Sequence, residues 1–227
     1  MKAILLLEDG KSFVGEGLGV EGEKIGGVIF NTAVVGYQEM MTDPANVGKI
    51  LVLTYPLIGN YGVAPKFNES KNVWVAGLVM KEKSRMYSNW QAKKGLGDFI
   101  KEQNLVTISE VDTRTLAVHL RQKGEMLGII STKNFEAKEL LSRINDFKKK
   151  PSPSLLPKIS AQKIMHLGKG KAKYKIAVLD LGITNSIIRQ LETLGCSITL
   201  LPYNTPSQEI LHVKSKGLII SNGPEED

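Results

Sequence analysis

An α/β protein in two unequal units is what this 227-residue sequence predicts, on three observations. Short apolar, β-branched runs mixed with a few helical stretches fill the first two thirds of the chain. A stretch rich in proline and lysine follows. After it, strand and helix alternate as β-α-β-α-β, the rhythm of a parallel sheet covered on both faces. The boundaries fall at 1–146, 147–173 and 174–227.

In the first unit, apolar runs at 3–8 and 12–17 flank Asp9-Gly10, a hairpin turn signal because glycine accepts the positive φ such turns need. Further runs at 27–32, 50–55, 73–80, 105–108 and 127–131 read as strands. One helix covers about 95–103. A second starts after Asp112, an N-cap, carries Leu116 and Leu120 on its apolar face and ends at Gly124. A third covers about 135–146. In the last unit, strands at 174–180, 197–202 and 217–221 enclose helices at 184–194 and 206–214. Ligands of such sheets sit beyond the carboxyl ends of the strands, here Asp180-Leu181-Gly182 and Ser221-Asn222-Gly223-Pro224.

The charge of +7 is uneven: nine lysines and no acid lie at 148–175, leaving 21 basic against 23 acidic residues elsewhere. That basicity reads as a solvated connector, and no aromatic or arginine platform accompanies it, so nucleic-acid binding is not expected. No apolar run reaches the roughly 18 residues a membrane span needs, and Glu8-Asp9 comes too early for a signal peptide. A cytoplasmic protein, not bound to a membrane, is expected. The single cysteine, Cys196, excludes an internal disulfide framework, and no metal site is expected. Cys196 follows the helix-ending Gly195 and enters a strand, as a small buried hydrophobe does. His119, His166 and His212 read as packing or surface residues. DLGITNS lacks the spaced glycines of a dinucleotide site. Taken alone, Thr42-Asp43-Pro44 reads as a turn after a short helix whose Tyr37 and methionines fill core.

Six segments together resemble one family: GGVIFNTAVVGYQEMMTDP (26–44), LTYPLIGNYG (53–62), AGLVM (76–80), SEVDTRTLAVHLRQKG (109–124), AVLDLGITNSIIRQL (177–191) and LIISNGPEED (218–227). The chain resembles the small, glutamine amidotransferase subunit of carbamoyl-phosphate synthetase. The resemblance implies a swivelling β/β/α domain followed by the first part of a flavodoxin-like class I glutaminase domain. It implies L-glutamine as substrate and a large partner subunit that uses the ammonia, bicarbonate and ATP with Mg to make carbamoyl phosphate, for pyrimidine or arginine synthesis. No cofactor is expected in this chain itself.

The family's cysteine nucleophile, histidine base and orienting glutamate fall later than any residue here, so no catalytic residue is expected and the chain alone should not hydrolyse glutamine. By resemblance the glutamine pocket is built at Ala45, Gly223 and Glu225, with Ala45 facing Gly223 and Glu225 turned to solvent. Three departures bear on it: Ala45 stands where a serine is usual, Glu225 where a glycine is usual and Thr184 where a lysine is usual. They point to a weakened or ammonia-dependent glutaminase. The alternative expectation is a non-catalytic module that docks to and stabilises the large subunit.

Overall fold

The computed structural model describes residues 1–151, 153–168 and 172–224. The chain is mixed α/β and divides into two units, Met1–Thr42, Gly48–Asn68 and Val73–Ser152 in one, Asp43–Val47, Glu69–Asn72 and Pro153–Asp227 in the other.

The first unit is built on seven strands: β1 (Lys2–Leu7), β2 (Ser12–Gly19), β3 (Glu23–Asn31), β4 (Ile50–Ile58), β5 (Gly77–Lys83), β6 (Val106–Ser109) and β7 (Met126–Ser131). They close into a barrel in the order β1-β2-β6-β5-β4-β3-β7. β1 pairs antiparallel with β2 (Leu5↔Phe13) and, on its other side, with β7 (Leu5↔Ile130), so neither edge is left open. β3, β4, β5 and β6 run parallel. At the first hairpin Gly10 takes φ +88° and the Asp9 carboxylate accepts the amide of Lys11.

Alternation along the strands splits their side chains between an inner and an outer layer. Leu5, Leu7, Val52, Val79 and Ile108 share one cluster with Leu116 and Leu120 of α3 (Thr113–Lys123). Ile4, Leu6 and Ile129 pack instead with Leu140 and Ile144 of α4 (Ala137–Lys149). That double use explains why β1 is an unbroken apolar run. α1 (Tyr37–Thr42) and α2 (Leu96–Glu102) close a third cluster through Tyr37, Met41, Phe99 and Ile100. Asp112 caps α3, its carboxylate accepting the amide of Thr115, and Gly124 ends the helix at φ +90°. The strand expected at 73–80 starts only at Gly77, because the amides of Trp74 and Ala76 donate to Met41 and Lys49 rather than to a regular ladder.

In the second unit a four-stranded sheet runs β11 (Gly217–Ile220), β9 (Tyr174–Asp180), β10 (Cys196–Pro202), β8 (Met165–Leu167). β9, β10 and β11 are parallel. α6 (Asn185–Thr193) packs Ile187, Ile188 and Leu191 on Val178, Ile198 and Ile219, and α7 (Ser207–His212) precedes β11. The stretch 147–173, expected to be a connector, is more than that. Residues 153–168 supply α5 (Leu156–Ile159) and β8, which pairs antiparallel along the free edge of β10 (Ile198↔Leu167). A three-residue strand recruited by an edge leaves no periodicity in a lysine-rich segment.

Candidate functional site

Two of the recognised segments meet inside the first unit. Tyr37 stacks on Tyr61 with centroids 4.3 Å apart, and the Tyr61 hydroxyl accepts the amides of Gly36 and Tyr37. The Tyr37 hydroxyl donates to the carbonyl of Gly62. Gln38, fully buried, donates through Nε2 to the carbonyl of Ala64 and to Asn68 Oδ1, and accepts the amide of Ala64. Burial first, and the neighbouring Tyr61 second, hold the Tyr37 phenol well above its ordinary pKa. It serves as a fixed donor. The GYQ segment is thus a clasp that fixes the start of α1 on the segment 61–68, and a turn follows α1 in the chain.

In the second unit that turn, a 3-10 turn at Pro44–Asn46, is capped by Asp43, whose carboxylate accepts the amide of Ala45 at 2.9 Å. Asp43 has its pKa raised by burial, an effect the Ala45 amide opposes and the nearby Glu69 carboxylate adds to. At the end of β9, the 5% exposed Asp180 accepts the amides of Gly182 and Ile183 on Oδ1 and that of Ala161 on Oδ2. At the end of β11, Ser221 Oγ accepts the amide of Leu181 and donates to the carbonyl of Asn222. Asn222 Nδ2 donates to the carbonyl of Gly182.

Gly182, at φ +119°, is where these pieces converge: a Cβ placed on it would lie 3.1 Å from Pro44 Cβ and 3.7 Å from the carbonyl oxygen of Asn222. The chain neighbours of Ala45 and Gly223 therefore flank one glycine. Gly223 has a reason to lack a side chain that involves no ligand, since a Cβ there would sit 2.5 Å from the carbonyl oxygen of Leu181. Glu225 lies outside the described residues. Thr184 is the N-cap of α6 and bonds Ser186 Oγ, while the first amides of the helix are taken by Glu69: Asn185 N donates to its carbonyl and Ser186 N to its carboxylate. A carboxylate at a helix N-terminus is favourable. Glu69 escaped the sequence reading because it stands far from α6 in the chain, and no local pattern marks such a cap.

Cys196 opens β10 half-buried, paired with Tyr174 across the ladder. Among the described residues no histidine bonds to it: His119 contacts Asp9, His166 contacts Thr199, and His212 contacts the carbonyl of Gln208. No cluster of three His, Cys, Asp or Glu residues able to hold a metal occurs among the described residues. A cleft of about 760 Å³ lies in the first unit beside Thr54, Pro56, Lys81 and Arg114, and one of about 660 Å³ in the second unit beside His166, Thr199 and His212. Neither contains Ala45 or Gly223. Among the described residues no helix is long and apolar enough to cross a membrane.

A parallel sheet with functional loops at its carboxyl ends is the ground plan of many ligand-binding α/β domains. Residues 177–227 match the glutamine amidotransferase class-I family, which sets the class of the second unit. Residues 5–130 match the carbamoyl-phosphate synthase small chain, CPSase domain, and the chain belongs to that family. Similar curated proteins, each described as a carbamoyl phosphate synthase small chain, include those of Listeria monocytogenes (40% identical over 98% of this chain and 60% of its own length), Aquifex aeolicus (39%, 98% and 63%) and Syntrophotalea carbinolica (36%, 99% and 63%). The chain spans 60 to 63% of the length of these relatives.

Proposed function

We propose that the chain is the barrel domain and the first part of the glutaminase domain of a carbamoyl-phosphate synthase small chain, the component that supplies ammonia from glutamine to a large subunit. The observation that carries this reading is the match running in order through both units, to the CPSase domain at 5–130 and to the class I amidotransferases at 177–227. ATP and Mg belong to the large subunit, the chain itself needs no cofactor, and the assembly works in the cytoplasm. By resemblance, the substrate glutamine is met by main-chain groups near Ala45 and Gly223.

The residues 1–227 supply walls, not chemistry. Amide hydrolysis by this class needs a thiolate with an imidazole in reach to take its proton. Cys196 has no such neighbour among the described residues. The test is ammonia release from L-glutamine by the chain alone, with Cys196→Ala as control. Background rates in both are expected. Turnover above background that vanishes in Cys196→Ala would overturn the reading of Cys196.

A second reading, a docking module for the large subunit, is favoured by the exposed apolar side chains of residues 32–36 and 84–94.

A further inference from the structure

Between β5 and α2 the first unit exposes side chains that a folded domain ordinarily buries. Trp90 is 89% exposed and Met86 83%, with Tyr87 beside them at 44%. The segment 32–36 adds Val34 at 57% and Val35 at 62%. Scattered exposure of this kind is ordinary, but here both segments stand on the same support. Gly36 donates its amide to the Tyr61 hydroxyl, Ser88 donates its amide to the carbonyl of Asn60, and the Tyr87 ring covers Gly62 so closely that a Cβ there would be 2.8 Å from it.

The loop that carries Trp90 is held at both ends and in the middle. Val63 and Lys94 form an antiparallel bridge, with the amide of Val63 donating to Lys94 and that of Lys93 to Val63. Asn89 folds its own turn, its side chain accepting the amide of Gln91 and its carbonyl that of Ala92. Ser84 Oγ donates to the carbonyl of Met86. An apolar group presented on a pinned backbone loses little conformational entropy when it docks. Trp, Tyr, Met and Arg are also the side chains enriched in interface centres.

Charge indicates what the loop meets. Residues 84–94 contain Arg85, Lys93 and Lys94 and no acid. Lys94 is paired with Glu102, whereas Arg85 and Lys93 are exposed and make no ion pair among the described residues. The aliphatic Met86, Val34 and Val35 suit a protein surface better than stacked bases.

We propose that Trp90 and Met86, flanked by Arg85 and Lys93, form the docking surface for a second polypeptide that presents an apolar pocket edged with carboxylates, and that this polypeptide is the large subunit. The identity of the partner rests on the function proposed above. The test titrates the full chain and its Trp90→Ala, Met86→Ala and Val14→Ala variants against the purified large subunit at low and high NaCl. Val14, 58% exposed on β2, is the control. Expected are at least tenfold weaker binding for Trp90→Ala, a smaller loss for Met86→Ala, unchanged binding for Val14→Ala and weaker wild-type binding in high salt, a dependence reduced in Arg85→Ala. Unfolding midpoints should not move. Wild-type affinity in Trp90→Ala would overturn the surface while leaving the partner standing. No binding by the wild type would overturn the partner and the proposal with it. A wild-type dimer that Trp90→Ala converts to monomer, or tight binding of oligothymidylate at this loop, would assign the surface to another occupant and equally overturn it.

Discussion

Gln38 shows how a polar side chain becomes a structural part. It is fully buried and satisfies both backbone groups of Ala64. Replacing it by leucine strands an amide and a carbonyl in the core, so Gln38→Leu should cost about 2 to 4 kcal/mol in denaturant unfolding. Asp43 is the opposite case, a carboxylate under strain from burial and from Glu69. Its pKa is raised, so protonation favours the folded state: its contribution is fully present below the ordinary value of 3.8 and is lost as pH rises through the folded pKa. Asp43→Asn can still accept the Ala45 amide. It should be at least as stable as wild type at pH 7, with any advantage shrinking as pH falls towards 3.8, as read from urea midpoints across that range. Single residues were the least legible level of the sequence. Tyr37 and the methionines were readable as core of a short helix before a turn, but the clasp through Gln38 and the cap from Glu69 join positions that no local window contains.

Elements were read far better, because hydrophobic period and caps are local. The hairpin at Asp9-Gly10, the capped α3 and the alternation from β9 to β11 all follow from patterns a few residues long. The misses were those decided by a distant partner. β5 starts late because Met41 and Lys49 take the amides before it, and β8 exists only because β10 offers an edge. Asp180 belongs to the same story. Read first as the end of a strand, it holds the turn after β9 and, through the Ala161 amide, the segment between α5 and β8. Asp180→Ala removes the acceptor of three amides at a buried position and should cost about 3 kcal/mol, measured by chemical unfolding. Asp180→Asn keeps one acceptor oxygen for Gly182 and Ile183 and should recover part of that loss.

At the scale of the molecule, composition and rhythm separate a mixed stretch before the lysine-rich segment from a β-α alternation after it, whereas the second unit also takes in Asp43–Val47, Glu69–Asn72 and the chain from Pro153 onwards. The candidate pocket was less legible. Ala45 and Gly223 came from resemblance, and the convergence of their neighbours on Gly182 is a property of three loops from distant parts of the chain. Barrel closure was not readable, since the number and apolarity of strands do not say which two meet last. That closing pair carries a consequence for biosynthesis. Among the barrel strands β1 is made first, yet one of its two neighbours is β7, the last of them to be made. Contacts between such distant segments form slowly. Until translation passes Ser131, the apolar strand Lys2–Leu7 therefore waits with one side unpaired, an edge open to pairing with another chain.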